Sequence, residues 1–132
     1  MDLLRPSLYA QIVWCVLASA YNCLSLLAIA NGGIGFAGDA STTQSAMVAV
    51  VIFGAVTLAG FLGRVKIYKV LSPIVVIALC VGGVLKHLNL GPATYASEWH
   101  WIVAILINSF GVIAYTIGAF ASYRGSRNKA GL

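Results

Sequence analysis

The sequence predicts an all-α, polytopic integral membrane protein whose residues 1–132 form one four-helix transmembrane domain. Three observations lead there. Apolar residues make up 61% of the chain and charged residues only 8%, where a soluble domain carries roughly a quarter charged. Mean hydropathy is +0.95. Four stretches approach or exceed the ~20 apolar residues needed to cross ~30 Å of hydrocarbon, and none has a charge at its centre. Such a chain cannot cover a water-facing surface. A soluble globular enzyme, a disordered tail and a small disulfide scaffold are all excluded.

The first span is expected over about 8–30. Ala28-Ile29-Ala30 looks like a signal-peptidase site, but the apolar stretch before it is longer than a typical h-region. It is read as a true helix. Asn31 through Asp39 carries four glycines, which resist helix and strand alike, so it is a loop. The second span covers about 43–63. Only Arg64 through Lys69 separates it from the third, at about 72–88, so these two helices should be antiparallel neighbours. Ser72-Pro73 reads as the start of the third helix, with serine as N-cap and proline at the first position. Asn89-Leu90-Gly91-Pro92 ends it. The fourth span covers about 99–122.

The basic residues sort by side. Arg5, the set Arg64, Lys66 and Lys69, and the set Arg124, Arg127 and Lys129 fall on one side of this path, leaving Lys86 on the other. By the positive-inside rule both termini are cytoplasmic, with Asp39 and Glu98 outside. The net charge of +5 is thus a topology signal and an attraction to anionic lipid headgroups. It does not point to nucleic acid, because no basic domain bearing aromatic residues exists to hold one. Tyr9, Trp14, Tyr95, Trp99, Trp101 and Tyr123 lie at or near expected helix ends, where aromatic rings anchor in the interface.

Polar residues at membrane depth are the candidate functional positions. On the first helix Gln11, Cys15, Ser19, Asn22 and Ser25 share one face at helical spacing. On the fourth, Asn108, Gly111, Tyr115, Gly118 and Ser122 do the same. The second offers a face of mostly small residues through Ala46, Ala49, Thr57, Gly60 and Arg64, interrupted by Phe53. Asn22 and Asn108 should sit at one depth, roughly 12 Å below the outer interface at 1.5 Å per residue. An unpaired carboxamide in hydrocarbon costs about 2–7 kcal/mol, so both faces are expected to turn away from lipid. They serve either helix packing or a polar path. Neither face holds a carboxylate, Lys or Arg in mid-membrane, and proton relays and coupled pumps normally need one.

Cys15, Cys23 and Cys80 contain no C-x-x-C pair and read as small apolar residues. His87, Glu98 and His100 are the metal-ligand candidates, but their spacing matches no ligand signature, and interfacial polar residues are the plainer reading. No cofactor is expected. The sequence has no Ser/His/Asp set, phosphate loop or H-E-x-x-H motif, so no enzyme is expected either. The function expected is that of a small non-catalytic accessory or structural subunit of a larger membrane complex, most simply in a bacterial inner membrane. Its partners would be the lipid bilayer and other membrane subunits, or further copies of itself. The alternatives are a homo-oligomeric small transporter or channel, and a quinone-, lipid- or cofactor-binding membrane anchor of an oxidoreductase.

Overall fold

A computed structural model describes residues 3–129, with side chains through Gly125. Its four long helices are α1 (Leu4–Ala30), α2 (Ala40–Phe61), α3 (Val65–Leu90) and α4 (Glu98–Lys129). All four are long and apolar enough to cross a membrane. Each packs antiparallel to the next, and α4 returns to lie beside α1, closing a square bundle. Arg5, Arg64, Lys66, Lys69 and Arg124 therefore gather at one end, called here the basic end. Arg127 and Lys129 lie outside the residues whose side chains are described. The connections 31–39 and 91–97 meet at the other end, the loop end, joined by an antiparallel bridge between Ala37 and Tyr95.

Helix starts follow local chemistry. Pro6 lies in the first turn of α1, where its missing N–H has no partner to lose, so the helix begins ahead of the expected position 8. The Asp39 carboxylate caps α2 by accepting from the Thr42 amide at 2.8 Å, which starts that helix at Ala40 instead of 43. The amide bond holds the exposed Asp39 carboxyl below the usual aspartate range.

The largest departure from expectation is in α3. Its helix begins at Val65, so Lys66, Tyr68 and Lys69 are helical and Pro73 sits inside the helix. Ser72 is thus a buried mid-helix residue and not a cap. An internal proline cannot donate to the carbonyl four residues back. Here that carbonyl belongs to Lys69, and Tyr123 Oη on α4 donates to it at 3.3 Å. The neighbouring helix supplies the missing bond. Further along, Leu79–Leu85 winds as a π-helix containing Gly82 and Gly83, before α-helix resumes at Lys86.

The bundle buries polar side chains alongside an apolar core that includes Leu8, Trp14, Val75 and Leu79, and its outer surface is apolar. Gln11, Ser25, Thr43, Thr57, Ser72 and Ser122 are buried, while Val51, Leu62, Leu106 and Phe120 are among the most exposed side chains. An apolar exterior over buried polar groups suits a lipid surround, where burial of apolar groups no longer drives packing and close fit with interhelical hydrogen bonds must hold the helices together. Trp14 corrects one expectation. At 2% exposure it is a core residue in mid-helix and not an interfacial anchor, whereas Trp99 at 72% faces outward as expected. Tyr95 is also buried.

Candidate functional site

Each helix sends one polar side chain to a common point in the basic half. Gln11 comes from α1, Thr57 from α2, Tyr68 from α3 and Tyr115 from α4, all buried. Gln11 Nε2 donates to Tyr68 Oη at 2.7 Å and to the Ala114 carbonyl at 3.2 Å. A carbonyl only accepts, so the Ala114 contact fixes which end of the amide is nitrogen. Gln11 Oε1 then accepts from Thr57 Oγ1 at 3.0 Å. The Tyr115 proton is shared between Thr57 Oγ1 at 2.7 Å and the Phe53 carbonyl at 2.8 Å. These four side chains carry no formal charge. A chain of mutually satisfied hydrogen bonds in low dielectric is strong and specifies one arrangement of its members.

Two glycines allow this convergence. A Cβ on Gly118 would land on the Tyr68 hydroxyl and stand 2.6 Å from Gln11 Nε2. A Cβ on Gly111 would stand 2.5 Å from Trp14 Nε1. Backbone-to-side-chain approach this close excludes any side chain at either position. Trp14 itself lies beside Tyr115, edge to face at 5.8 Å, and against Phe53 at 6.0 Å.

Above that aromatic layer the loop half is hollow. A cavity of about 450 Å³ is bounded by all four helices, with Trp14 and Phe53 among its lining residues. That size falls in the ~300–1,000 Å³ range of ligand pockets. Its walls are mostly small: Ala18, Ala46, Ala49, Ala78, Gly82, Gly83 and Ala104. α2 packs closely on α3 only over Val65–Ala78 and diverges from the π-helical segment beyond. Ser45, Ala78 and Gly82 line the cavity yet are exposed, so it opens sideways between α2 and α3. π-helical turns recur at functional sites, and this one forms the wall.

The cavity's polar groups are Tyr21, Asn22, Thr43, Ser45 and Asn108, with Ser41, Thr42, Lys86 and His87 nearer the loop end. Several of the internal donors are engaged within the protein, while the Trp14 indole N–H is buried without a partner. Asn22 Nδ2 donates to the Ala18 carbonyl and Asn108 Nδ2 to the Ala104 carbonyl, both at 2.8 Å. Ser45 Oγ donates to the Ser41 carbonyl at 2.9 Å, and Tyr21 Oη to the His100 carbonyl at 2.9 Å. What these groups leave to the cavity is acceptor oxygen together with the second N–H of each asparagine amide.

The loop end is closed on the α1–α4 side by an aromatic cap. Phe36 lies on the His100 ring at 4.1 Å, and its amide donates to Ser25 Oγ at 2.9 Å. Trp101 Nε1 donates to the His87 carbonyl at 2.9 Å. Burial pushes the Tyr95 phenol up to about 12, and its hydroxyl is hydrogen-bonded to His87 Nδ1.

The expected stripes thus divide. Gln11, Tyr115 and Gly118 form the polar knot, Gly111 admits Trp14, and Asn22 and Asn108 line the cavity together. Ser25 holds the first loop through Phe36. Ser19 is half-buried and belongs to neither group. His87, Glu98 and His100 do not converge. Among the described residues no group of three or more His, Cys, Asp or Glu side chains is placed to hold a metal, and His100 Nδ1 is paired with Ser97 Oγ at 2.7 Å. Cys15, Cys23 and Cys80 are free thiols. Tyr68 and Trp14 were not expected at the site. One was read as connection and the other as an interfacial ring, although Tyr68, Ser72, Val75 and Leu79 repeat at four, three and four. Compared with protein-family models, curated proteins and solved structures, the chain matches none.

Proposed function

We propose that the chain is a non-catalytic, multi-pass membrane protein with both ends in the cytoplasm, most simply in a bacterial inner membrane. Its role on this reading is that of an accessory subunit that holds a small lipophilic molecule in the outer half of its bundle. One observation carries the reading: the cavity opens sideways toward the surrounding phase and stops at an aromatic and hydrogen-bonded floor. A shape of that kind suits retention better than passage. A path through one copy would have to break the knot of Gln11, Thr57, Tyr68 and Tyr115. Orientation rests on the cluster of Arg5, Arg64, Lys66, Lys69 and Arg124 at one end.

The test is purification in gentle detergent followed by native mass spectrometry. A bound small molecule together with a co-purifying membrane chain is the expected result. A bare, stable monomer overturns the accessory role. Flux through liposomes that falls with Asn108→Leu overturns it in favour of a transporter.

A further inference from the structure

Resting on that reading, the lining of the cavity narrows what it holds. We infer that the ligand is an uncharged lipophile presenting a hydroxyl hydrogen to Asn22 and Asn108, with its apolar remainder leaving between α2 and α3. Four observations combine. Asn22 and Asn108 lie well below the loop end, eight residues before the end of α1 and ten residues into α4. Each commits one of its two amide N–H groups to its own helix, and no described donor meets either Oδ1. Both oxygens therefore remain as acceptors in residues that line the cavity, that of Asn108 beside Gly83. Ser45 and Tyr21 have likewise given their protons to backbone carbonyls.

A ligand made only of acceptors, such as a ketone or an ester, can meet the second amide N–H of either asparagine but leaves both Oδ1 atoms without a donor. Lys86 and His87 offer donors only in the turns next to the loop end. A pure hydrocarbon leaves two amide oxygens dry, and an anion would face two carbonyl dipoles. A hydroxyl satisfies both sides. Its apolar body meets Ala46, Ala49 and Ala78, and the exposed Gly82 leaves a way out of the bundle. Water meets the same acceptors before the ligand arrives, and release of that water accompanies binding.

The test uses Trp14, which lines the cavity. In the full chain carrying Trp99→Phe and Trp101→Phe, Trp14 is the sole tryptophan. Reconstituted in nanodiscs, it is titrated with 11-bromo-1-undecanol and, separately, with 1-bromoundecane, the bromine quenching its fluorescence. Saturable quenching by the alcohol at a concentration at least about five-fold lower than the alkane is expected for one hydrogen bond. Asn22→Leu or Asn108→Leu should close most of that gap, and Ala49→Leu should remove quenching by both probes. Thermal unfolding of each variant, run alongside, separates loss of the site from loss of the fold. Equal quenching by the two probes, or a preference that survives both Asn substitutions in folded protein, overturns the hydroxyl assignment and leaves the ligand-holding role standing. No saturable quenching by either probe overturns both.

Discussion

In the basic half of the bundle, Gln11, Thr57, Tyr68 and Tyr115 turn toward one another and hold four helices at one point. In the loop half, Asn22, Ser45 and Asn108 turn back to carbonyls of their own helices and hold nothing across. The polar residue types overlap, and the consequence is opposite. Where four side chains bond at one point across all four helices there is no room left. Where Asn22, Ser45 and Asn108 bond within their helices and only pairwise bonds such as Tyr21 to the His100 carbonyl and Ser25 to Thr43 cross between them, a cavity of about 450 Å³ remains. The number of polar residues at membrane depth is therefore a poor guide to binding. What matters is whether their hydrogen bonds close across the bundle or along one helix.

The contrast is most severely strained by Gly118→Leu. The new side chain would occupy the space of the Tyr68 hydroxyl and the Gln11 amide, and overpacking without relief costs at least about 3 kcal/mol. Recovery of folded protein in detergent, measured by size-exclusion chromatography, should collapse. Gln11→Leu comes next. It leaves Thr57, Tyr68 and the Ala114 carbonyl without their shared partner, and buried groups stripped of a bond make a loss of about 2–3 kcal/mol reasonable. Thermal or denaturant unfolding of wild type and variant would measure it.

Asn22→Leu is the matched change in the loop half. Its amide bonds only the Ala18 carbonyl four residues back, so the loss should stay below about 1 kcal/mol, in line with the ~0.6 average for membrane hydrogen bonds. If Asn22→Leu proves as damaging as Gln11→Leu in the same assay, the division between the halves fails. A cycle between Gln11→Leu and Tyr68→Phe sharpens it further, since coupling is expected there and not between Asn22 and Tyr68.

The smallest effect is on pH. The Asp39 carboxyl is held low by the Thr42 amide, so its capping contribution is fully present above the unfolded value near ~3.9. It fades as pH falls through the lower, folded value. Asp39→Asn keeps a good N-cap and should remove that acid-side decline while leaving neutral-pH stability nearly unchanged. Unfolding temperatures followed from pH 6 downward would show it.

Hydropathy made the four spans legible, because run length and charge placement are properties of composition along the chain. The inward turn of Asn22 and Asn108 was legible too, since the penalty for a dry amide dictates it. The start of α3 was not. Ser72-Pro73 is a good local start signal, and it was overridden because Tyr123, fifty residues away, supplies the Lys69 carbonyl with the bond that Pro73 withholds. Trp14 was misplaced for a similar reason. Its burial depends on Gly111 in another helix being small enough to admit an indole, and spacing within α1 holds no record of that.

The π turn in α3 also decides which way a charge looks. A helix wound at i→i+5 takes up about one more residue than an α-helix over the same turns, which slips the phase of everything after it. The inward series Val75, Leu79, Gly83 then runs on to half-buried His87, and Lys86 is left exposed. Straight α-winding would bring Lys86 nearer the inward face, setting an ammonium group closer to the bundle interior. One surplus residue in the backbone thus acts as a rotary offset. It turns an imidazole toward the protein and keeps the cation at its edge.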